Sequence, residues 1–177
     1  MADNIILIGF MGSGKTSVGK LLAKSLSFQF IDTDEEIEEK NKMKISKIFD
    51  VYGEEYFRDL ETNYIKNLIH HIQSSVISTG GGLPVREGNS EILRELGVVV
   101  YLKARKETII NRVKEDDTRP LLQTDDLEGR VNSLLTLREP SYRETAHIEI
   151  ETDDLSISEI ISEIMGQYHD MVKKDNL

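Results

Sequence analysis

The chain has 177 residues, enough for one well-packed domain and short for two. Its 32 acidic side chains against 22 Lys and Arg leave a net charge of −10, a field that repels phosphate polymers and argues against binding to nucleic acid or an anionic membrane. The absence of cysteine excludes a disulfide scaffold, a thiolate nucleophile and a Cys-ligated metal centre.

Ile5-Ile6-Leu7-Ile8, bounded by Asn4 and Gly9, predicts a fully buried strand. It is too short for a signal-peptide core or a membrane span, so a cytoplasmic protein is expected. Val18, Leu21, Leu22 and Leu26 follow helical spacing, and 28–31 reads as a second strand. Ile45, Ile48, Phe49 and Tyr52 fit one helix face; Phe57, Leu60, Tyr64, Leu68 and Ile72 fit another. Val76 and Ile77 form a short third strand leading into Gly80-Gly81-Gly82. A helix over 89–96 precedes the clearest buried strand, 98–102, and a second helix covers 106–114. A polar loop spans 115–126, and Leu127, Val131, Leu134 and Leu135 mark the next helix, which Pro140 is expected to break. Ile148 and Ile150 suggest a last strand, the isoleucines from Ile157 to Ile164 with Tyr168 a closing amphipathic helix, and 173–177 a frayed tail. Continuous apolar strands alternating with helices imply an α/β fold: a three-layer sandwich whose five-stranded parallel sheet carries helices on both faces. No linker or internal repeat interrupts the pattern, so residues 1–177 read as a single domain.

Gly9-Phe10-Met11-Gly12-Ser13-Gly14-Lys15-Thr16 matches G-x-x-x-x-G-K-[ST] between a buried strand and an amphipathic helix. Glycines let backbone N–H groups converge on an anion, the helix N-terminus adds positive potential, Lys15 can reach the β- and γ-phosphates, and the Thr16 hydroxyl can ligate Mg²⁺. A chance match in a chain of this length is on the order of one in a hundred, from ordinary Gly and Lys frequencies. The motif implies a nucleoside triphosphate without specifying the reaction. No guanine-reading signature is present, and the strand at 98–102 ends in Lys103 rather than Asp. The nearest acidic strand end is Asp32.

Asp32-Thr33-Asp34 closes the second strand, beside the phosphate loop at the same sheet edge. Two carboxylates two residues apart on an extended segment point the same way, one available to Mg²⁺ water and one to an acceptor hydroxyl. Asp34 would equally serve as the N-cap of a helix beginning at Glu35. Gly80-Gly81-Gly82 offers backbone donors at close approach, or simply a turn. Arg58 and Arg138 lie at the margins of apolar faces, where a guanidinium could grip a planar carboxylate or make an ordinary surface ion pair. Arg119, in the polar loop, could close over a γ-phosphate or be balanced by Glu115, Asp116 and Asp117.

Taken together these segments resemble the shikimate kinase family of P-loop kinases. The resemblance rests on the phosphate loop at 9–16, Asp32-Thr33-Asp34, Gly53-Glu54-Glu55-Tyr56-Phe57-Arg58, Thr79-Gly80-Gly81-Gly82, Thr118-Arg119-Pro120-Leu121-Leu122 and Arg138-Glu139-Pro140-Ser141-Tyr142, in that order along nearly the whole chain. It implies MgATP-dependent phosphorylation of the shikimate 3-hydroxyl, on a route to chorismate and the aromatic amino acids. The acceptor region would be about 33–61 and a mobile lid about 113–125. By position, Asp34 would hold the acceptor hydroxyls as candidate base, and Arg58 and Arg138 would clamp its carboxylate. Gly80, Gly81 and Gly82 would add donors, and Phe49, Phe57 and Glu61 would shape the pocket. Gly12, Ser13, Gly14, Lys15, Thr16 and Ser17 would surround the nucleotide. Lys15 and Arg119 would stabilise the transferring phosphoryl group, and Arg112 would stack on adenine. Thr16 would bind Mg²⁺ directly and Asp32 through water. Residues 151–155 would flank adenine, though without the proline often found there. The resemblance further implies a monomer. Two rivals remain at this point: another small-molecule kinase, gluconate being the polyhydroxy-acid alternative, and a regulatory module that binds nucleotide without phosphorylating a metabolite.

Overall fold

The computed structural model describes residues 3–114 and 126–175. In chain order the elements are β1 (Ile5–Ile8), α1 (Lys15–Leu26), β2 (Gln29–Asp32), α2 (Thr33–Asn41), α3 (Ile45–Leu68) and β3 (Ser75–Ser78). A 3₁₀ turn at Leu83–Val85 precedes α4 (Asn89–Leu96), β4 (Val98–Lys103), α5 (Lys106–Val113), α6 (Leu127–Thr145), β5 (Ile148–Glu151) and α7 (Ile157–Asp175). The five strands form one parallel sheet in the order β2-β3-β1-β4-β5.

Strand residues alternate between two cores, which is why β1 and β4 are apolar throughout. Ile6, Ile8, Ile77, Val99 and Tyr101 face α2 to α6, whereas Ile5, Leu7, Val76, Val98 and Val100 face α1 and α7. β5, at one sheet edge, keeps one face in solvent and alternates Ile with Glu accordingly. The three-layer α/β architecture expected from the sequence is therefore the one found.

Several local expectations change. The helix after β2 begins at Thr33, so Asp32 and Asp34 do not share an extended segment. Asp32, not Asp34, is the N-cap: its carboxylate accepts from the backbone N–H groups of Asp34 and Glu35. α6 runs through Pro140 to Thr145, because Val131, Leu134, Arg138, Tyr142 and Thr145 bury one continuous stripe that outweighs the lost backbone bond. The tail from 173 is helical as far as Asp175, and the helix meant to carry Ile72 stops at Leu68. The two helices expected around 45–52 and 57–72 are joined as α3 across Gly53, whose φ of 84° and ψ of 169° kink the chain in a region that only glycine enters without strain. Among the described residues no helix is long and apolar enough to cross a membrane. The expected lid lies outside the described residues beyond 114, and so does Arg119.

A buried amide locks the start of the sheet. Asn4, fully buried, donates from Nδ2 to the Leu96 carbonyl at 2.9 Å and accepts at Oδ1 from the Ser75 N–H at 3.1 Å. It thereby ties the ends of α4 and β3 to β1. Asn4→Ala strands both backbone groups in the core, and urea unfolding should register a loss of about 2 to 4 kcal/mol. A loss below about 1 kcal/mol, within the range of an ordinary surface change, would contradict this role.

Candidate active site

In a parallel sheet the C-terminal strand ends gather along one edge, and ligands bind where the connections diverge to opposite faces. Here β1 is that strand, flanked by β3 and β4. The loop leaving β1, the cap after β2 and the glycines after β3 open onto one cleft of about 1010 Å³.

The loop after β1 takes its shape from glycine. Gly9, Gly12 and Gly14 have φ values of 143°, 79° and 97°, and a Cβ at Gly9 would sit 2.5 Å from the Leu102 carbonyl oxygen. Lys15 is buried and folds over its own loop, donating from Nζ to the carbonyls of Gly9 and Phe10 at 3.0 and 2.9 Å. The α1 N-terminus that follows carries no acidic residue in its first turn, so its positive end is left for an anion. Gly12, Ser13, Gly14, Thr16 and Ser17 line the same cavity. Arg112, from α5, arches over the loop and donates to the Gly12 carbonyl at 2.9 Å. Thr152, Leu155, Ile157 and Ile160 complete this end of the cleft, from the segment expected to flank adenine and the start of α7.

Thr16 Oγ1 donates to Asp32 Oδ2 at 2.9 Å, while Asp32 Oδ1 caps α2. One carboxylate thus joins the phosphate loop to the second strand and fixes where α2 starts. It also sets Asp34, two residues on, inside the cleft.

The acceptor end is built around Gly80-Gly81-Gly82, where Gly80 and Gly82 leave room for charged side chains and Gly81 lies beside a third. A Cβ on Gly80 would overlap Glu61 Oε1 and lie 2.8 Å from Asp34 Oδ1. One on Gly81 would lie 3.6 Å from Arg138 Nη1, and one on Gly82 would overlap the Arg58 guanidinium. Two bonds hold the loop in place: Gly80 N–H donates to Thr33 Oγ1 at 3.1 Å, and Tyr142 Oη donates to the Gly81 carbonyl at 2.5 Å.

Arg58 and Arg138 are both largely shielded from water. Arg58 stands over the rings of Phe57 and Phe49, at 5.4 and 6.0 Å from their centroids, and donates from Nη1 to Glu61 Oε2 at 2.6 Å. Its charged form is favoured further by Glu61 and Glu54, which outweigh the cost of its burial. Arg138 is 5% exposed, lies 5.7 Å from the Phe10 ring centroid, and keeps Nη1 buried without a hydrogen-bond partner among the described residues. Glu61 is fully buried, and its Oε1 is likewise unsatisfied. Burial pushes its carboxyl up to about 7; Arg58 pulls it down, and the neighbouring Asp34 charge pushes it up again. Tyr142 is pushed up to about 12 by burial, against the pull of Arg138.

Of the residues singled out in the sequence, all within the described chain line this one cleft. Thr33, Tyr142 and Phe10 were missed as site residues. Tyr142 sits one helical turn after Arg138, so the spacing alone could have paired them. Thr33 carried no signal of its own, because its hydroxyl acts on a residue 47 positions away.

An anion-binding loop, a hydroxyl–carboxylate pair beside it and two shielded guanidinium groups lining the same cleft can bind a polyphosphate and present a small carboxylic acid to its end. The family model described as Shikimate kinase matches residues 11–169. A shikimate kinase from Thermodesulfovibrio yellowstonii is 47% identical over 165 residues, covering 93% of this chain and 94% of that protein. One from Thioalkalivibrio sulfidiphilus is 42% identical over 99% of this chain and 91% of its own. Among solved structures, the shikimate kinase from Acinetobacter baumannii in complex with shikimate superposes with a TM-score of 0.90 at 38% identity, covering 100% of this chain and 96% of that one. A gluconokinase from Sinorhizobium meliloti, at 17% identity and a TM-score of 0.64, shares the fold alone. The chain belongs to the shikimate kinase family of ATP-dependent small-molecule kinases.

Proposed function

We propose that the cleft transfers the γ-phosphoryl group of ATP to the 3-hydroxyl of shikimate, within a single domain acting as a monomer. The observation that carries this reading is the convergence of Asp34, Arg58 and Arg138 on three consecutive glycines in the cleft that also holds the phosphate loop. The Acinetobacter baumannii relative, solved in complex with shikimate, supports the choice of acceptor. The rival reading, a module that binds nucleotide without an acceptor, leaves two shielded arginines without a task.

Arg58 and Arg138 would grip the acceptor's carboxylate. The buried Nη1 of Arg138 gains in that contact the partner it lacks among the described residues, and guanidinium geometry matches a planar carboxylate. Phe49 and Phe57, with ring centroids 5.2 Å apart, would exclude water behind it. With the carboxylate fixed, Asp34 would orient the attacking hydroxyl and accept its proton. Phosphoryl transfer asks mainly for positioning and charge neutralisation, and Lys15 sits in the loop where the β- and γ-phosphates would lie. By the family resemblance, Arg119 would share that task and Arg112 would stack on adenine.

Thr16 and Asp32 fit Mg²⁺: two oxygen donors 2.9 Å apart suit a small hard cation that keeps most of its water. The ion, bound with the nucleotide, would screen the charge of the triphosphate.

A coupled ADP-release assay across shikimate, gluconate and nucleoside monophosphates tests the acceptor; stimulation by shikimate alone is expected. Asp34→Asn should keep ATP affinity and lose turnover by at least about 100-fold, and turnover within about threefold of wild type would remove Asp34 from the chemistry. Arg58→Ala or Arg138→Ala should weaken shikimate binding at least about 30-fold with ATP binding nearly unchanged; equal loss of both would mean general destabilisation instead. Glu61 also predicts a pH signature. Its folded pKa of about 7 stands above the ordinary 4.5, so the folded state holds this proton more tightly than the unfolded chain does. Its contribution to stability is present at acid pH and is lost as the pH rises towards 7. Denaturant unfolding should show Glu61→Gln losing less stability than wild type between about pH 5 and pH 7, and parallel pH profiles would refute the assignment.

A further inference from the structure

Arg58 has two acids on its edges, and they are not equivalent. Nε and Nη2 both donate to Glu54 Oε1, at 3.2 and 2.7 Å, while Nη1 donates to Glu61. The Nε–Nη2 edge is one of those on which a guanidinium grips a carboxylate with two parallel bonds. Glu61 approaches from the interior and its side chain is fully buried. Glu54 approaches from the solvent side with 47% of its side chain exposed. It also follows Gly53, the residue at which α3 is kinked, so the backbone before it is not held in a continuous helix.

Charge balance bears on the same point. Arg58 and Arg138 bring two positive charges to the acceptor end, and Asp34, Glu54 and Glu61 bring up to three negative ones. A further carboxylate entering so shielded a site is costly unless a resident acid withdraws. Asp34 and Glu61 both press on Gly80, and Glu61 is buried. Of the three acids, Glu54 alone is exposed and can turn into water at little cost.

We propose that Glu54 is an internal competitor for the acceptor's carboxylate: it holds the Nε–Nη2 edge of Arg58 until the acceptor arrives, and then yields it. This rests on the reading of Arg58 as a carboxylate ligand. The exchange keeps Arg58 oriented and neutralised beforehand, and it sharpens selection. An acceptor with a carboxylate replaces one ion pair by another, whereas a neutral polyol has nothing to offer in exchange for Glu54.

Calorimetric titration of shikimate into wild type, Glu54→Gln, Arg58→Ala and the double variant tests this. The Gln side chain keeps the shape and removes the charge. The shikimate Kd of Glu54→Gln should fall about three- to tenfold, as expected when a competing state of the site is removed. In turnover assays the gain should appear in KM for shikimate and leave KM for ATP in place, a split that a merely structural Glu54 would not produce. The gain should vanish in the Arg58→Ala background. Unchanged or weaker shikimate binding by Glu54→Gln overturns the proposal, and so does an equal gain without Arg58. If Arg58→Ala itself leaves shikimate binding intact, the carboxylate reading falls, and this proposal with it.

Discussion

Two guanidinium groups held out of water dominate the acceptor end of this molecule. A cation shielded by aromatic rings is costly unless acids balance it and hydrogen bonds satisfy it. Arg58 meets that demand through Glu54 and Glu61, whereas Arg138, against Phe10, keeps one buried nitrogen without a partner among the described residues. The burial of Glu61 follows from its place beside Arg58, and its raised pKa follows from that burial together with the nearby Asp34. Gly80 and Gly82 of the loop after β3 are the steric counterpart, since a side chain at either would collide with these charged groups.

The fold supplies the positions. Parallel strands place the loop after β1, the cap after β2 and the glycines after β3 at one edge. The links between them are few and specific. Asp32 ties the phosphate loop to the start of α2, Thr33 ties α2 to Gly80, and Tyr142 ties α6 to Gly81. Each bond joins a residue at the nucleotide end to one at the acceptor end, or braces the loop between them. Geometry of that kind suits a transfer whose rate depends on alignment more than on strong acid–base chemistry.

Much of this was legible in the sequence, for identifiable reasons. β1 and β4 are buried on both faces, so their unbroken apolar runs were plain. The phosphate loop needs glycine and lysine at fixed spacing because backbone N–H groups must converge. What escaped depended on long-range partners. Nothing local distinguishes Asp32 from Asp34 as a cap; Thr16 and the preceding strand decide it. Pro140 looked like a helix end, and only the buried stripe of α6 on both sides of it carries the helix through. The role of Glu54 was invisible because an exposed glutamate one turn before an arginine reads as an ordinary helix pair. Its consequence arises from the burial of Arg58 on the other side.

The most direct test of the central claim compares two ligands rather than two proteins. Isothermal titration of shikimate and of its methyl ester, with MgATP replaced by a non-hydrolysable analogue, isolates the contribution of the carboxylate charge. If Arg58 and Arg138 grip that group, the ester should bind at least about 100-fold more weakly, the range seen when a buried charged pair loses one partner. Equal affinity for the two would place the acceptor's carboxylate elsewhere and contradict the site proposed here.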